Sequence, residues 1–422
     1  MKILTSPKTR FWFGLSLLSI FYITIVFLKA KNVFAGDEGG YVKIATNLSK
    51  GNLPNVNWWG PGYPLILIPF IKFDIPLLYA KLLNAIFLVG TIIYIRYSLL
   101  LYLTDKYATN IALIMGIYPP FLFHIHMTIT EKFALLLMSA IVYHYLAFHK
   151  GDSLKILHFV ISSILLAWLA LTKVFYGYVI LFVLIIVLLF QLFFKVKLWK
   201  TFFIFLLSLI ICLPYLWHNY KLTGKIFYWA TSGGLSLYWM STPYIGETGS
   251  WFGKREMEIL KLPVNENHYK LYHSLSNLSS VEQDDAYKRA AINNIRNHPF
   301  KFIFNIANNI LRMLFDFPHD LEQQTWKASW VVIPNMFLLT LFLLSFYPAW
   351  KARQKIPLSI WSILFFGATA FMGSAILSAY NRMFSIIVPI IVVWTSYVWV
   401  KLVKIEIQSC FDEEESQAEN KA

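Results

Sequence analysis

Apolar residues in this chain are grouped into long runs rather than spread at the spacing of a soluble helix core. Phe11–Leu28, Leu157–Leu171 and Val174–Phe194 are examples. A run of about 20 apolar residues is the length a helix needs to cross a bilayer. The pattern predicts spans over 11–28, 76–95, 108–123, 132–148, 157–172, 174–194, 201–217, 331–348, 357–378 and 384–400. The stretch 157–194 is nearly twice one span, so it reads as two helices with Lys173 at the turn. The segment 61–75 is apolar but short and opens with Pro61 and Pro64, which suits an interfacial or re-entrant element. The predicted fold class is an all-α polytopic membrane protein, a bundle of about ten transmembrane helices.

Two polar stretches interrupt the runs, 29–75 and 218–330. The second carries soluble-helix signals. Ser280-Val281-Glu282-Gln283 fits a capping box, Asp284 and Asp285 follow in the next turn, and Pro299 ends the helix. Residues 300–315 are apolar on a helical period (Phe302, Ile303, Ile306, Ile310, Leu314), which predicts a helix lying along the membrane surface. Four parts result: a transmembrane module over 1–217, a loop domain over 218–330, C-terminal helices over 331–403 and an acidic, disordered tail over 404–422. There is no internal repeat and no low-complexity tract.

Composition agrees with a membrane setting: 58% of residues are hydrophobic and 14% charged, against about 25% charged in soluble domains. The net charge of +15 would suggest nucleic acid in a soluble protein, but no basic stripe interleaved with aromatics is present, so nucleic acid is excluded as a partner. The positive charge instead sets orientation. Arg96 and Lys106, Lys150 and Lys155, Lys195, Lys197 and Lys200, Lys351, Arg353 and Lys355, and Lys401 and Lys404 fall in alternate short loops. Those loops are predicted cytoplasmic, with both termini inside and 29–75 and 218–330 outside. Lys29 and Lys31 argue weakly the other way. Lys2, Lys8 and Arg10 before the first run, with Val33-Phe34-Ala35 after it, resemble a signal peptide; an uncleaved signal-anchor is favoured because the run is long and more spans follow. Cys212 and Cys410 form neither a disulfide framework nor a metal site by spacing.

Charge at membrane depth is expensive and is usually kept for function. On the outer side it is sparse: Asp37 and Glu38 after the first span, Glu131 opening the fourth, Lys173 between two spans and Arg382 between the last two. Acids and bases at one interface suit transfer from a phosphate-linked donor. A carboxylate takes the acceptor's proton, and cations hold the leaving phosphate. Each residue also has a plainer reading. Asp37 and Glu38 suit solvated loop acids, Glu131 a helix N-terminal acid, and Lys173 and Arg382 snorkelling anchors. His124 and His126 invite a metal reading that a spacing of two residues supports only weakly. Trp58, Trp59, Trp239 and Trp251 suit stacking on sugars or an aromatic belt. Asn47-Leu48-Ser49 and Asn277-Leu278-Ser279 match short glycosylation acceptors.

An ordered set of motifs resembles a family. Gly36-Asp37-Glu38-Gly39-Gly40-Tyr41, then Ala45, Asn47-Leu48 and Gly51, then Trp58-Trp59-Gly60-Pro61-Gly62-Tyr63-Pro64, is similar to the first outer loop of the protein O-mannosyltransferase and aminoarabinose-transferase superfamily. Further matches follow in order: Tyr118-Pro119-Pro120 with Thr130-Glu131; Leu171-Thr172-Lys173, with Lys where the family has Arg; Leu213-Pro214 through Asn219-Tyr220 and Gly224; Ser232-Gly233-Gly234; His298-Pro299; and Tyr380-Asn381-Arg382-Met383. The resemblance implies a GT-C fold with two outer loop segments, and an inverting glycosyltransferase using polyprenyl-phosphate sugars in the plasma membrane. It implies Asp37 as general base, Glu38 supporting it, Glu131 orienting substrate, and Lys173 and Arg382 on the donor phosphate. Tyr41, Tyr63 and Asn381 are its expected substrate contacts. The lysine removes bidentate phosphate binding at 173. The acceptor stays open among lipid, glycan and protein, and so does help from a divalent ion at the phosphate; no other cofactor is implied. Two rivals compete. A surface-glycan polymerase or ligase would rely on outer-loop arginines such as Arg255, Arg289, Arg296 and Arg312. A transporter or lipid flippase predicts inverted repeats and broken helices at mid-membrane.

Overall fold

A computed structural model describes residues 6–31, 34, 36–52, 58–151, 153–252, 263–320 and 326–403. Val33, Ala35, Arg255 and the acidic tail lie outside the described residues. Among the described residues all regular structure is helical. The first seven helices are α1 (Pro7–Lys29), α2 (Glu38–Ser49), α3 (Pro64–Lys72), α4 (Leu77–Leu100), α5 (Asp105–Gly116), α6 (Pro119–Leu122) and α7 (Glu131–Lys150). Then come α8 (Lys155–Thr172), α9 (Phe175–Phe194), α10 (Trp199–Thr223) and α11 (Gly233–Met240). The loop domain continues with α12 (Pro263–Leu275), α13 (Ser280–Asn297) and α14 (Pro299–Phe315), and α15 (Ser329–Leu344), α16 (Phe346–Lys351), α17 (Leu358–Ile376) and α18 (Asn381–Tyr397) complete the chain.

Nine of these described segments are long and apolar enough to span a bilayer, making the chain an integral membrane protein. The tenth predicted span, 108–123, differs. It is the 12-residue α5 followed by a break and the four-residue α6. Pro119 and Pro120 supply no N–H, and proline pushes the residue before it out of helical geometry; Tyr118 is extended at ψ 112°. The crossing is still completed by the broken segment. It starts beside Arg96, which pairs with Asp105, and ends in the loop that leads to Glu131. Lys173 sits at the break between α8 and α9, as the length of the run predicted.

Each crossing reverses direction. The start of α2, α4, α7, α9 and α18 and the end of α8, α10 and α17 therefore gather at one end of the bundle. Helices α7 and α18 form its centre, with 78% and 83% of their spanning windows buried. The outer helices turn side chains such as Leu28, Ile156, Phe193 and Phe337 outward, where lipid is the solvent.

The loop domain packs on that same end. Its capping box is made by Ser279 and Glu282, one residue earlier than predicted, because the first of two adjacent serines takes the cap. Asp284 is buried and accepts from Gly234 N at 2.6 Å and the Tyr228 hydroxyl at 2.8 Å, joining α13 to α11. In α14, Asn305, Asn309 and Arg312 are fully buried while Phe300, Ile303 and Phe304 are exposed. Asn309 Nδ2 donates to the carbonyls of Ala375 (2.9 Å) and Leu377 (2.6 Å), and Arg312 Nε to that of Ala379 (3.2 Å). Met313, Ile306, Ile310 and Leu314 pack inward beside these polar groups, and an outward side of Phe300, Ile303, Phe304 and Leu311 suits a helix in the membrane interface.

Candidate active site

Three helix starts and one helix end bring the charged residues together. Asp37 precedes α2, Glu131 is the first residue of α7, Arg382 the second of α18, and Lys173 follows α8. The tryptophan–glycine motif sets the height of Lys173. Gly62 N donates to Leu171 O at 2.9 Å and Trp168 Nε1 to Gly62 O at 2.8 Å. A Cβ on Gly60 would lie 2.0 Å from Leu171 O, and one on Gly62 2.7 Å from Leu171 C. Only glycine permits this close approach of two backbones.

The charges alternate. Lys173 Nζ donates to Glu131 Oε1 at 2.7 Å, Arg382 Nη1 lies 3.4 Å from the same oxygen, and Arg382 Nη2 lies 3.4 Å from Asp37 Oδ2. Glu131 is nearly inaccessible, at 4% side-chain exposure, whereas Asp37 and Arg382 are about a third exposed at 33% and 29%. The buried carboxylate thus fixes both cations from behind. A buried ion left without its partner costs several kcal/mol (roughly 3–5), so Lys173 and Arg382 are held in place as long as Glu131 is charged. Glu131 Oε2 is buried with no hydrogen-bond partner among the described residues.

In front of this row lies a cavity of about 800 Å³, within the size range of ligand sites. Asp37, Tyr41, Lys173, Asn381 and Arg382 line it. The loop domain closes the far side, where the Trp58 and Trp251 rings meet edge to face at 5.4 Å. Two expected site residues are elsewhere. Glu38 does not line the cavity: it is buried, pairs with Lys81 at 3.2 Å and accepts from Thr128 N at 2.7 Å. Successive helical residues point about 100° apart, so with Asp37 facing the cavity Glu38 faces α4. Asn84 assists by donating to Ile125 O (2.9 Å) and Met127 O (2.6 Å). Glu38 therefore pins the loop that delivers Glu131. Tyr63 is likewise behind the cavity, fully buried against Tyr41 and Phe133.

Residues without a sequence motif also contribute. Asp320 lines the cavity, and its carboxylate accepts from Thr248 N at 2.9 Å and Ser250 N at 3.3 Å. His319 stacks on Tyr380 with ring centres 5.7 Å apart. His124 lines the cavity, and burial, reinforced by the charges of Lys132 and Arg382, lowers its pKa to about 4. It is neutral at physiological pH. Among the described residues no three His, Cys, Asp or Glu side chains gather in a metal-holding group.

The bundle, its interfacial loops and the charged row at one end define a GT-C fold, the class to which the motifs bear a resemblance. It is similar to the archaeal oligosaccharyltransferase AglB from Archaeoglobus fulgidus, solved with an inhibitory peptide and a dolichol-phosphate, at TM-score 0.53 and 13% identity over 97% of this chain and 54% of that one. The chain thus spans about half the length of AglB, and the likeness is one of fold. ArnT from Cupriavidus metallidurans, bound to undecaprenyl phosphate, aligns at TM-score 0.40 and 13% identity over 91% of this chain and 77% of its own, too low a score to add to that assignment. No family model and no curated protein sequence matches the chain.

Proposed function

We propose that the protein transfers a sugar from a polyprenyl-phosphate donor to an acceptor hydroxyl or amine at the extracytoplasmic face of the plasma membrane, with both termini cytoplasmic. The observation that carries this reading is the half-open Asp37 carboxylate beside two cations that a buried Glu131 holds at the edge of one cavity. Dolichol-phosphate in AglB supports the donor class, and the lysines and arginines of the opposite loops support the orientation.

Chemically, Asp37 accepts the proton of the acceptor group as that group attacks the anomeric carbon. The bond from that carbon to the phosphate oxygen breaks on the opposite face, and its electron pair leaves on the lipid phosphate. Lys173 and Arg382 stabilise the charge that develops there. The configuration at the anomeric carbon is inverted. Glu131 and Glu38 act as positioning residues, while Tyr41 and Asn381 face the space the sugar fills.

The test is transfer of radiolabelled sugar from synthetic short-chain polyprenyl-phosphate donors by the full chain in lipid nanodiscs. Asp37→Asn should lose transfer by about a hundredfold or more, the scale of general-base contributions, while still binding donor. Transfer at the normal rate by that variant overturns the mechanism. Movement of labelled lipid across the bilayer without product overturns the class in favour of a transporter.

A further inference from the structure

The loop domain holds a second, smaller cavity of about 240 Å³. Its walls are aromatic: Tyr238, Trp239, Trp251, Phe252, Tyr272 and Tyr287 all line it. Trp251 and Phe252 also line the main cavity, so the two spaces share a wall. The volume falls below the roughly 300–1,000 Å³ of sites for drug-sized ligands and suits a single ring.

Two polar groups are presented among those rings. Trp239 is 3% exposed, yet its indole N–H has no hydrogen-bond partner among the described residues; a buried donor normally has one. The second group is the Tyr238 hydroxyl, 2.6 Å from His268 Nδ1. His268 Nε2 in turn lies 2.9 Å from Glu247 Oε2. Glu247 also accepts from Asn267 Nδ2 at 2.8 Å and from the Thr242 hydroxyl. A carboxylate on Nε2 calls for the proton on that nitrogen. Nδ1 is then an acceptor, and the Tyr238 O–H donates to it. The Tyr238 oxygen keeps its lone pairs for an incoming donor.

Aromatic faces bordered by polar groups, the Trp239 N–H and Tyr238 hydroxyl with Ser276 and Gln283 also on the lining, match a pyranose, which has C–H faces and hydroxyls at its edge. We infer that this cavity is a saccharide subsite and that the acceptor of the reaction is a glycan. The identification of the acceptor rests on the transferase reading above; the binding of a pyranose does not. Trp251 and Phe252 border both spaces, so a glycan held here would carry its neighbouring sugars toward the cavity that Asp37 lines.

The experiment is saturation-transfer NMR on the full chain in nanodiscs, with methyl glycosides of glucose, galactose and N-acetylglucosamine as probes. A capped tyrosyl dipeptide and a short-chain phospholipid serve as comparison ligands. At least one glycoside should bind saturably at millimolar concentration, and Trp239→Phe, which keeps the ring and removes the donor, should weaken it about tenfold. Tyr272→Ala, which removes a wall, should weaken it similarly, with melting temperature showing that both variants are folded. Transfer to a glycan acceptor should fall in Trp239→Phe in step with the weakened glycoside binding. No saturable binding of any glycoside overturns the subsite, as does binding of the dipeptide or lipid alone, or unchanged affinity in both variants. Glycoside binding in a protein that transfers no sugar from any donor retains the saccharide subsite and removes the acceptor role.

Discussion

Gly62→Ala tests whether the contact between two backbones sets the position of Lys173. The new Cβ would lie 2.7 Å from Leu171 C and Thr172 N and 2.5 Å from Thr172 Oγ1. Two of these atoms are backbone and cannot rotate away, so the two segments must separate by about 0.7 Å to regain ordinary contact. Overpacking of this kind costs about 1–3 kcal/mol. Stretching the Gly62 N–Leu171 O bond in a buried setting adds about 1–3 kcal/mol. Lys173 is two residues from Leu171, and a misplacement near 1 Å at a reacting centre costs roughly a hundredfold in rate. Transfer should therefore fall between about tenfold and a hundredfold, with donor affinity lowered and melting temperature reduced. The assay is initial transfer rate in nanodiscs beside Gly233→Ala. A Cβ at Gly233 meets nothing within 4 Å, so that control should match the parent. Gly62→Ala with parental rate and melting temperature would refute the reasoning.

Other substitutions test the remaining parts. Glu131→Gln leaves Lys173 and Arg382 without their shared anion and should lower unfolding free energy by about 3–5 kcal/mol; in denaturant titrations, Glu131→Gln with Lys173→Met should cost less than the two single changes together. Glu38→Gln should slow transfer without abolishing it, because it weakens the Lys81 and Thr128 contacts rather than the chemistry; complete loss in a protein of parental stability would contradict a positioning role. Burial alone would raise the Glu247 carboxyl, but the hydrogen bond from His268, then the bonds from Thr242 and Asn267, outweigh it and hold its pKa below the usual range. A depressed folded pKa stabilises above the unfolded value of about 4.3, and that stability is lost as pH falls through the folded value. Acid unfolding followed by tryptophan fluorescence should therefore lose part of its pH dependence in Glu247→Gln.

The membrane bundle was legible because lipid demands long apolar runs, and run length alone separated α8 from α9 at Lys173. The charged row was legible because Asp37, Glu131, Lys173 and Arg382 each sit at a helix end, and alternating crossings bring such ends together. The different placement of Glu38 and Asp37 was not legible, because adjacent residues look equivalent in a loop; once α2 starts there, the helical turn sends Glu38 to Lys81. The break before Pro119 was visible in the Pro-Pro pair but hidden by the apolar run around it. The inward face of α14 is carried by Asn305, Asn309 and Arg312 at spacings of four and three together with Met313, while Ile306, Ile310 and Leu314 of the predicted apolar stripe also pack against the bundle, so the apolar period alone did not mark the outward side. The Glu247–His268 contact joins residues with no periodic relation, so only the folded chain reveals it.

The bonding of α14 has a mechanical consequence. Asn309 and Arg312 grip the carbonyls of the segment that runs into Arg382, and Phe300, Ile303 and Phe304 face outward. Were α14 seated on the bilayer through that apolar side, it would work as a float, riding at one depth. The roof over the cavity and the cation beneath it then share that depth. Under the proposed transferase reading, reach would then be a fixed quantity: an acceptor would be served only when its reactive group is carried at that altitude above the lipid, and trimming Phe300, Ile303 and Phe304 would retune the altitude without touching a single group in the cavity.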